Sequence, residues 1–145
     1  MKKIVFSVWV TVFVLTSCTT GENSVKYVEA QNYFHRNDAP LPEGPKITYQ
    51  AEFEKHFSAA AFMGKNGKVT DIDFTKSFVI VKVLPSTDRE TELKPLKLLK
   101  TGKDKLNLVY SLHVGGKRSY TIQPMFILVL DNKYKNYVID EAAGK

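Results

Sequence analysis

Two aspartates one residue apart, Asp71 and Asp73, come nearest in spacing to a chemical apparatus. In an extended segment they point to one side, as a general acid–base pair or a cation site requires. A calcium loop of the EF-hand kind needs further oxygens and a glycine at fixed spacing, whereas this stretch runs straight into Phe74. The pair reads as a solvated loop entering a sheet. The histidines His35, His56 and His113 are isolated from one another, and no two of them show metal-ligand spacing. Gly64-Lys65-Asn66-Gly67-Lys68-Val69-Thr70 resembles a phosphate loop only in outline. Two residues, not four, separate its glycines, and Thr70 comes one place late. Asn66-Gly67 reads instead as a turn that supplies a positive φ. No serine lies in Gly-x-Ser-x-Gly or Ser-x-x-Lys. The remaining route to an enzyme, a hydrolase, is a site assembled from distant residues, with Asp71, Asp73 and a histidine as its material. The reading preferred here is non-enzymatic, with no cofactor and no metal.

The one cysteine, Cys18, closes Leu15-Thr16-Ser17-Cys18. Before it stand Met1-Lys2-Lys3 and the apolar run from Ile4 to Leu15, twelve residues long. A bilayer span takes about 20 apolar residues, so the run is too short to cross. A basic start, a short apolar stretch and small residues before a cut describe a secretory signal peptide, residues 1–17. The Leu-Thr-Ser-Cys ending resembles the lipobox of bacterial lipoproteins. That resemblance implies a diacylglyceryl group on the Cys18 thiol, cleavage after Ser17, and a fatty acid such as palmitate on the new amino terminus. It implies a cell-envelope protein held to the membrane by lipid. Thr19, rather than the aspartate associated with inner-membrane retention, favours the outer membrane.

Residues 18–145 then form the mature chain, 128 residues in length. That fits one domain, large enough to bury a core without disulfides. With Cys18 lipidated, the mature chain has no free thiol for catalysis, metal binding or cross-linking. Lys2 and Lys3 leave with the signal, so 19 basic and 15 acidic residues remain, a net charge of +4. This mild excess lacks the clustered basic face of a nucleic-acid binder, and nucleic acid is not expected as a partner.

Residues 18–25 comprise the lipidated cysteine and a small polar tether, Thr19 to Val25. The globular domain is expected over residues 26–145. Lys26 to Phe34 reads as a first strand with an imperfect apolar face. Asn37 to Pro45 holds three prolines and excludes a helix. Phe53 and Phe57, four apart, share one face of a helix expected from Tyr49 to Ala60, with Thr48 as N-cap. Phe78 to Leu84 is β-branched and nearly all apolar, as a central strand buried on both faces requires. Pro85 ends it. Glu92 to Lys100 alternates imperfectly around Pro95, which predicts a bulge or an edge strand. Leu106, Leu108, Tyr110, Leu112 and Val114 alternate strictly and form the clearest strand. Tyr120 to Leu130 continues in strand phase, Asp131-Asn132-Lys133 is a turn, and Tyr137-Val138-Ile139 a last short strand.

These elements predict an α+β fold: a curved antiparallel sheet of about five or six strands with one helix on a face. A β-sandwich-like or small-barrel arrangement is the alternative. Two connections stand out as interaction loops. Gly115-Gly116-Lys117-Arg118, followed by Ser119-Tyr120, reads as a basic hairpin tip. Ser86-Thr87-Asp88-Arg89 reads as a polar, charged connection.

From Tyr33 to Val138 the chain resembles small lipoproteins of Gram-negative anaerobes. The similar elements are Phe53-x-x-x-Phe57, Met63-Gly64, Asp73-Phe74-x-x-x-Phe78-Val79-Ile80 and Ser119-Tyr120-Thr121-x-x-Pro124. The Phe78-to-Val83 strand and the hairpin around Pro124 are similar to the C-terminal β domain of protease-complex stabilising proteins. Neither resemblance carries over a functional residue. The function expected is a lipid-anchored, protein-binding module that contacts an envelope or extracellular protein, with a protease inhibitor or protease-stabilising partner as a subclass. A small-ligand-binding lipoprotein is the alternative. It would need a groove between helix and sheet, a space that Phe53, Phe57 and Phe78 are expected to fill.

Overall fold

The structure is a computed structural model that describes residues 23–60 and 64–144. Residues 1–17, expected as a signal peptide, and Cys18 lie outside these residues. The apolar segment Ser77–Val83 forms β5, and the later apolar segment Met125–Asp131 forms β8. They pair antiparallel, with Phe78 opposite Leu130 and Val81 opposite Ile127. Alternation sends Phe78, Ile80, Phe126, Leu128 and Leu130 to one face, and Val79, Val81 and Ile127 to the other. Both faces are buried, as the unbroken apolar run requires.

Two short strands complete this sheet. Val28–Glu29, β1, joins the outer side of β8, and Lys46–Ile47, β3, joins β5. The sheet stays open, and its order is β1-β8-β5-β3. Helix α1, Gln50–His56, packs with Phe53 against Val79, Val81 and Ile127. A small hairpin-like pair covers the same face: Tyr33–His35, β2, against Phe57–Ala59, β4. The opposite face is covered by a sheet of three strands, β6 (Thr87–Lys100), β7 (Lys105–Ile122) and β9 (Val138–Ala143). Leu98, Leu106 and Leu108 reach from it into the core of Phe78 and Leu128. The fold is thus α+β, with open, curved sheets and one helix among the described residues. The two larger sheets share a core, as the sandwich-like alternative describes.

Several boundaries differ from the sequence reading, each for a local reason. The first strand is split. Asn32 takes φ 63°, and its side-chain amide donates to the carbonyls of Asn66 and Lys68, both at 2.7 Å. The break sends Val28–Glu29 to β8 and Tyr33–His35 to β4. The helix is shorter than Tyr49–Ala60. Tyr49, not Thr48, precedes its first turn, and Phe57 leaves it in extended conformation to pair with His35. Phe53 and Phe57 still meet, with ring centroids 5.0 Å apart. Phe78, expected beneath the helix, faces the other layer. The glycine turn closes through Gly67 N–H to the Gly64 carbonyl at 3.2 Å, and the positive φ falls on Gly64 rather than at Asn66-Gly67.

The last strand departs from the all-antiparallel expectation. β9 runs parallel to β7, with Leu106 opposite Ile139 and Tyr110 opposite Ala143. The intervening β8 lies in the other sheet, so the chain crosses between layers before it returns. The expected turn at Asp131 is a 3-10 turn, Asn132–Tyr134, capped by the Asp131 carboxylate accepting from Lys133 N–H at 2.8 Å. One ion pair ties the layers together: Lys82 of β5 meets Glu141 of β9 at 2.9 Å, with the Lys82 ammonium 4.9 Å from the Tyr110 ring centre.

Candidate functional site

Neither expected loop is a loop. Gly115, Gly116, Lys117 and Arg118 lie inside β7, and Thr87, Asp88 and Arg89 begin β6; only Ser86 precedes the strand. The two stretches, separated by more than 20 residues, are cross-strand neighbours. Arg89 stands opposite Lys117, Thr91 opposite Val114 and Thr87 opposite Ile122. The sequence spacing hid this. Gly-Gly in a strand reads as a turn, whereas here it is an irregularity within one strand of a long ribbon.

The register shows what the glycines do. Between Thr91↔Val114 and Arg89↔Lys117, the pair Gly115-Gly116 faces Glu90 alone, a bulge of two residues against one. A Cβ on Gly115 would lie 3.4 Å from both the Cβ and the carbonyl oxygen of Glu90. A second irregularity sets Asp88 against the four residues Arg118 to Thr121. A third falls at Leu96, next to Pro95, where the sequence predicts a bulge or an edge. β6 is indeed the outer strand of its sheet.

Three ion pairs run across or along the ribbon. Lys117 meets Asp88 at 3.3 Å, and Arg118 pairs with Glu90. Lys94 pairs with Glu92, and with that hydrogen bond and charge beside it the Glu92 carboxyl sits below its ordinary range. These exposed pairs add little stability each, and they leave Arg89, Lys97, Lys100 and Lys105 of the ribbon outside them. Its distinguishing property is apolar.

The strictly alternating stripe of β7 starts in the core and runs past it. Leu106 and Leu108 are fully buried, Tyr110 is half-buried, Leu112 is 44% exposed and Val114 52% exposed. Leu93, opposite Leu112, still touches the core edge. β9 accompanies β7 only as far as Tyr110. Among the described residues, Ser111 to Ile122 therefore has β6 on one side and no strand on the other. At about 3.3 Å per residue this is up to roughly 35 Å of open edge. Tyr120, 59% exposed, lies along it.

The other candidate residues do not converge. Asp71 and Asp73 both border a shallow hollow with Tyr49, Gln50 and Lys135, and no histidine lines it. Asp73 organises its own turn: its carboxylate accepts from the side-chain hydroxyl and backbone N–H of Thr75, which hold its pKa below the ordinary range. His35 and His56 lie on the far side of the helix, and both rings hydrogen-bond the Pro40 carbonyl, at 3.1 and 2.9 Å. They anchor the proline-rich segment against the helix. His113 is exposed opposite Glu92. The described residues contain no group of three histidine, cysteine or acidic side chains placed to hold a metal ion. Between helix and sheet, Phe53, Phe57, Val79, Val81 and Ile127 pack together. An open cleft of about 660 Å³ lies outside the helix and is edged by Arg36, Asp38, Glu52, Glu54 and Lys55.

Compared with known proteins, the chain matches no family model, no curated protein and no solved structure.

Proposed function

We propose that this chain is a lipid-anchored protein of the cell envelope that acts as a non-enzymatic protein-binding module through the β6–β7 ribbon. One observation carries the reading: the apolar stripe of β7 outruns the core and exposes Leu112 and Val114 beside an unpaired strand edge. A long apolar edge is a pairing template that folded proteins normally blunt or cover. An extended segment of a partner protein would supply the missing hydrogen bonds and bury the stripe, as in β-strand addition. The partner class to test first is an envelope protease complex, implied by the resemblance of the C-terminal half. Anchoring rests on Cys18 and the signal peptide before it.

The test places a photo-crosslinking residue at Val114 in the full chain and irradiates intact cells. A control site is Tyr49, which is 66% exposed on the opposite layer. We expect one defined polypeptide crosslinked from Val114 and not from Tyr49, and its loss when Leu112→Asp is added. Crosslinking of equal yield from both sites, or of free monomer alone, would refute the reading.

A further inference from the structure

The chain arrives from Cys18 at a fixed place. Asn23, Ser24 and Val25 lie along the outer edge of β6: the Asn23 carbonyl accepts from Lys100 N–H at 2.7 Å, Ser24 bridges Leu99, and Val25 N–H donates to the Leu98 carbonyl at 2.8 Å. Val25 is 5% exposed and belongs to the main core. The stretch read as tether therefore meets the fold at Asn23, beside the turn that joins β6 to β7. Cys18 and Asn23 are five residues apart, so their Cα atoms can be no more than about 18 Å from each other.

That turn is basic. Lys100, Lys103 and Lys105 are exposed, with Asp104 the one acid among residues 100–105, and exposed Lys26 follows the pinned segment. Elsewhere on β6 and β7, Lys94 is matched by Glu92, Lys117 by Asp88 and Arg118 by Glu90, while Arg89 and Lys97 stand outside these pairs. Three exposed lysines within six residues thus stand where a lipid on Cys18 would hold the domain against the bilayer.

We infer that the Lys100–Lys105 turn, with Lys26, is the face of the domain that rests on anionic phospholipid headgroups. The inference rests on the lipid-anchoring reading and adds an orientation to it. Basic residues close to an anionic leaflet are attracted within about a Debye length, about 8–10 Å. The reach from Cys18 keeps this turn near that layer. Leu112 and Val114 lie several residues along the ribbon from that turn, away from its lipid-facing end.

Lysine acetylation footprinting tests this on the full chain, purified from membranes and reconstituted in vesicles. Vesicles of zwitterionic lipid are compared with vesicles in which part of that lipid is replaced by phosphatidylglycerol. Each lysine near the surface shifts the docked balance by about fivefold. We expect acetylation of Lys26, Lys100, Lys103 and Lys105 to fall by about fivefold or more with phosphatidylglycerol, a scale set by that per-lysine effect. Lys94 and Lys117 should be unchanged. Lys100→Glu with Lys103→Glu and Lys105→Glu should abolish the protection at Lys26. Uniform labelling, or protection centred on Lys94 and Lys117, overturns the orientation. Fatty-acid labelling of the same chain and of its Cys18→Ala variant tests the anchor separately. Label at Cys18 without lysine protection defeats the orientation alone. Lysine protection without label at Cys18 defeats the anchor alone, because residues 1–17 then hold the chain.

Discussion

Leu108 and Leu112 lie on one face of one strand, one inside the core and one beyond it, so they isolate the consequence of burial. Leu108 is 0% exposed, between Leu98 and Phe78. Replacing it by alanine leaves a closed cavity, and Leu108→Ala should cost about 3 kcal/mol, within the usual span of about 2–5. Leu112 is 44% exposed. Just over half of its burial is at stake, and solvent fills the space left behind. Full burial of a leucine is worth about 2 kcal/mol, so Leu112→Ala should cost about 1 kcal/mol. The assay is urea unfolding of the full chain in the Cys18→Ala background, followed by far-UV circular dichroism, with unchanged m-values as the sign of two-state behaviour. The difference of about 2 kcal/mol is the expected result. Equal costs would refute the reasoning, because the stripe would then be buried to Leu112 and no apolar overhang would exist. In a Val114 crosslinking experiment the order should invert: Leu112→Ala should weaken capture of the partner more than Leu108→Ala does at temperatures where both variants remain folded.

Further outcomes follow from other parts of the structure. Val25→Ala should destabilise the fold by about 2 kcal/mol and speed amide exchange at Lys100, whose N–H is bound to Asn23; a cost near zero would mean that Asn23–Val25 does not dock. Asp73 should titrate below the ordinary aspartate range by NMR, and Thr75→Val should move it back, since the Thr75 hydroxyl is the largest cause of the depression. A depressed folded value means that this carboxylate contributes stability above the unfolded value of 3.8, lost as pH falls through the folded one. For Lys82, burial lowers the pKa, but the hydrogen bond and charge of Glu141, with Tyr110, outweigh it and hold the value above 10.5. Its contribution is therefore complete below pH 10.5 and lost as pH rises through the folded value. Glu141→Gln should cost about 1 kcal/mol at neutral pH and flatten that alkaline dependence, and an unchanged alkaline limb would show that the pair is not formed.

Much of the fold is legible in the chain, because burial on two faces leaves a plain mark. The run Phe78 to Val83 has to be a central strand, and it is, with Phe78 and Ile80 on one side and Val79 and Val81 on the other. Pro95 announces an edge and an irregularity, and β6 has both. The Phe53–Phe57 spacing brings the rings together even though the helix stops at His56, because one turn separates them whether the second lies in the helix or just beyond it. The boundaries were harder to read. Phe57 gives up the helix for a pairing with His35, a partner 22 positions earlier, and local pattern has no access to such a partner. Gly115-Gly116 carries a turn signature, but Glu90 across the ribbon makes it a bulge.

By itself, then, the sequence determined the strand character of the chain, the place of its one described helix, and the alternating stripe from Leu106 to Val114. These depend on residue type and on spacing of two to four positions. Only the tertiary structure decided which part of the stripe is covered. Burial depends on where the opposing sheet ends, and the core of Phe78, Ile80 and Leu128 ends before Leu112. It also decided that the Arg89 and Lys117 stretches are one surface, that β9 returns parallel to β7, and that Asn23–Val25 is part of the fold. Each of these is a pairing between segments far apart in sequence, selected by hydrogen bonding and shape across the sheet.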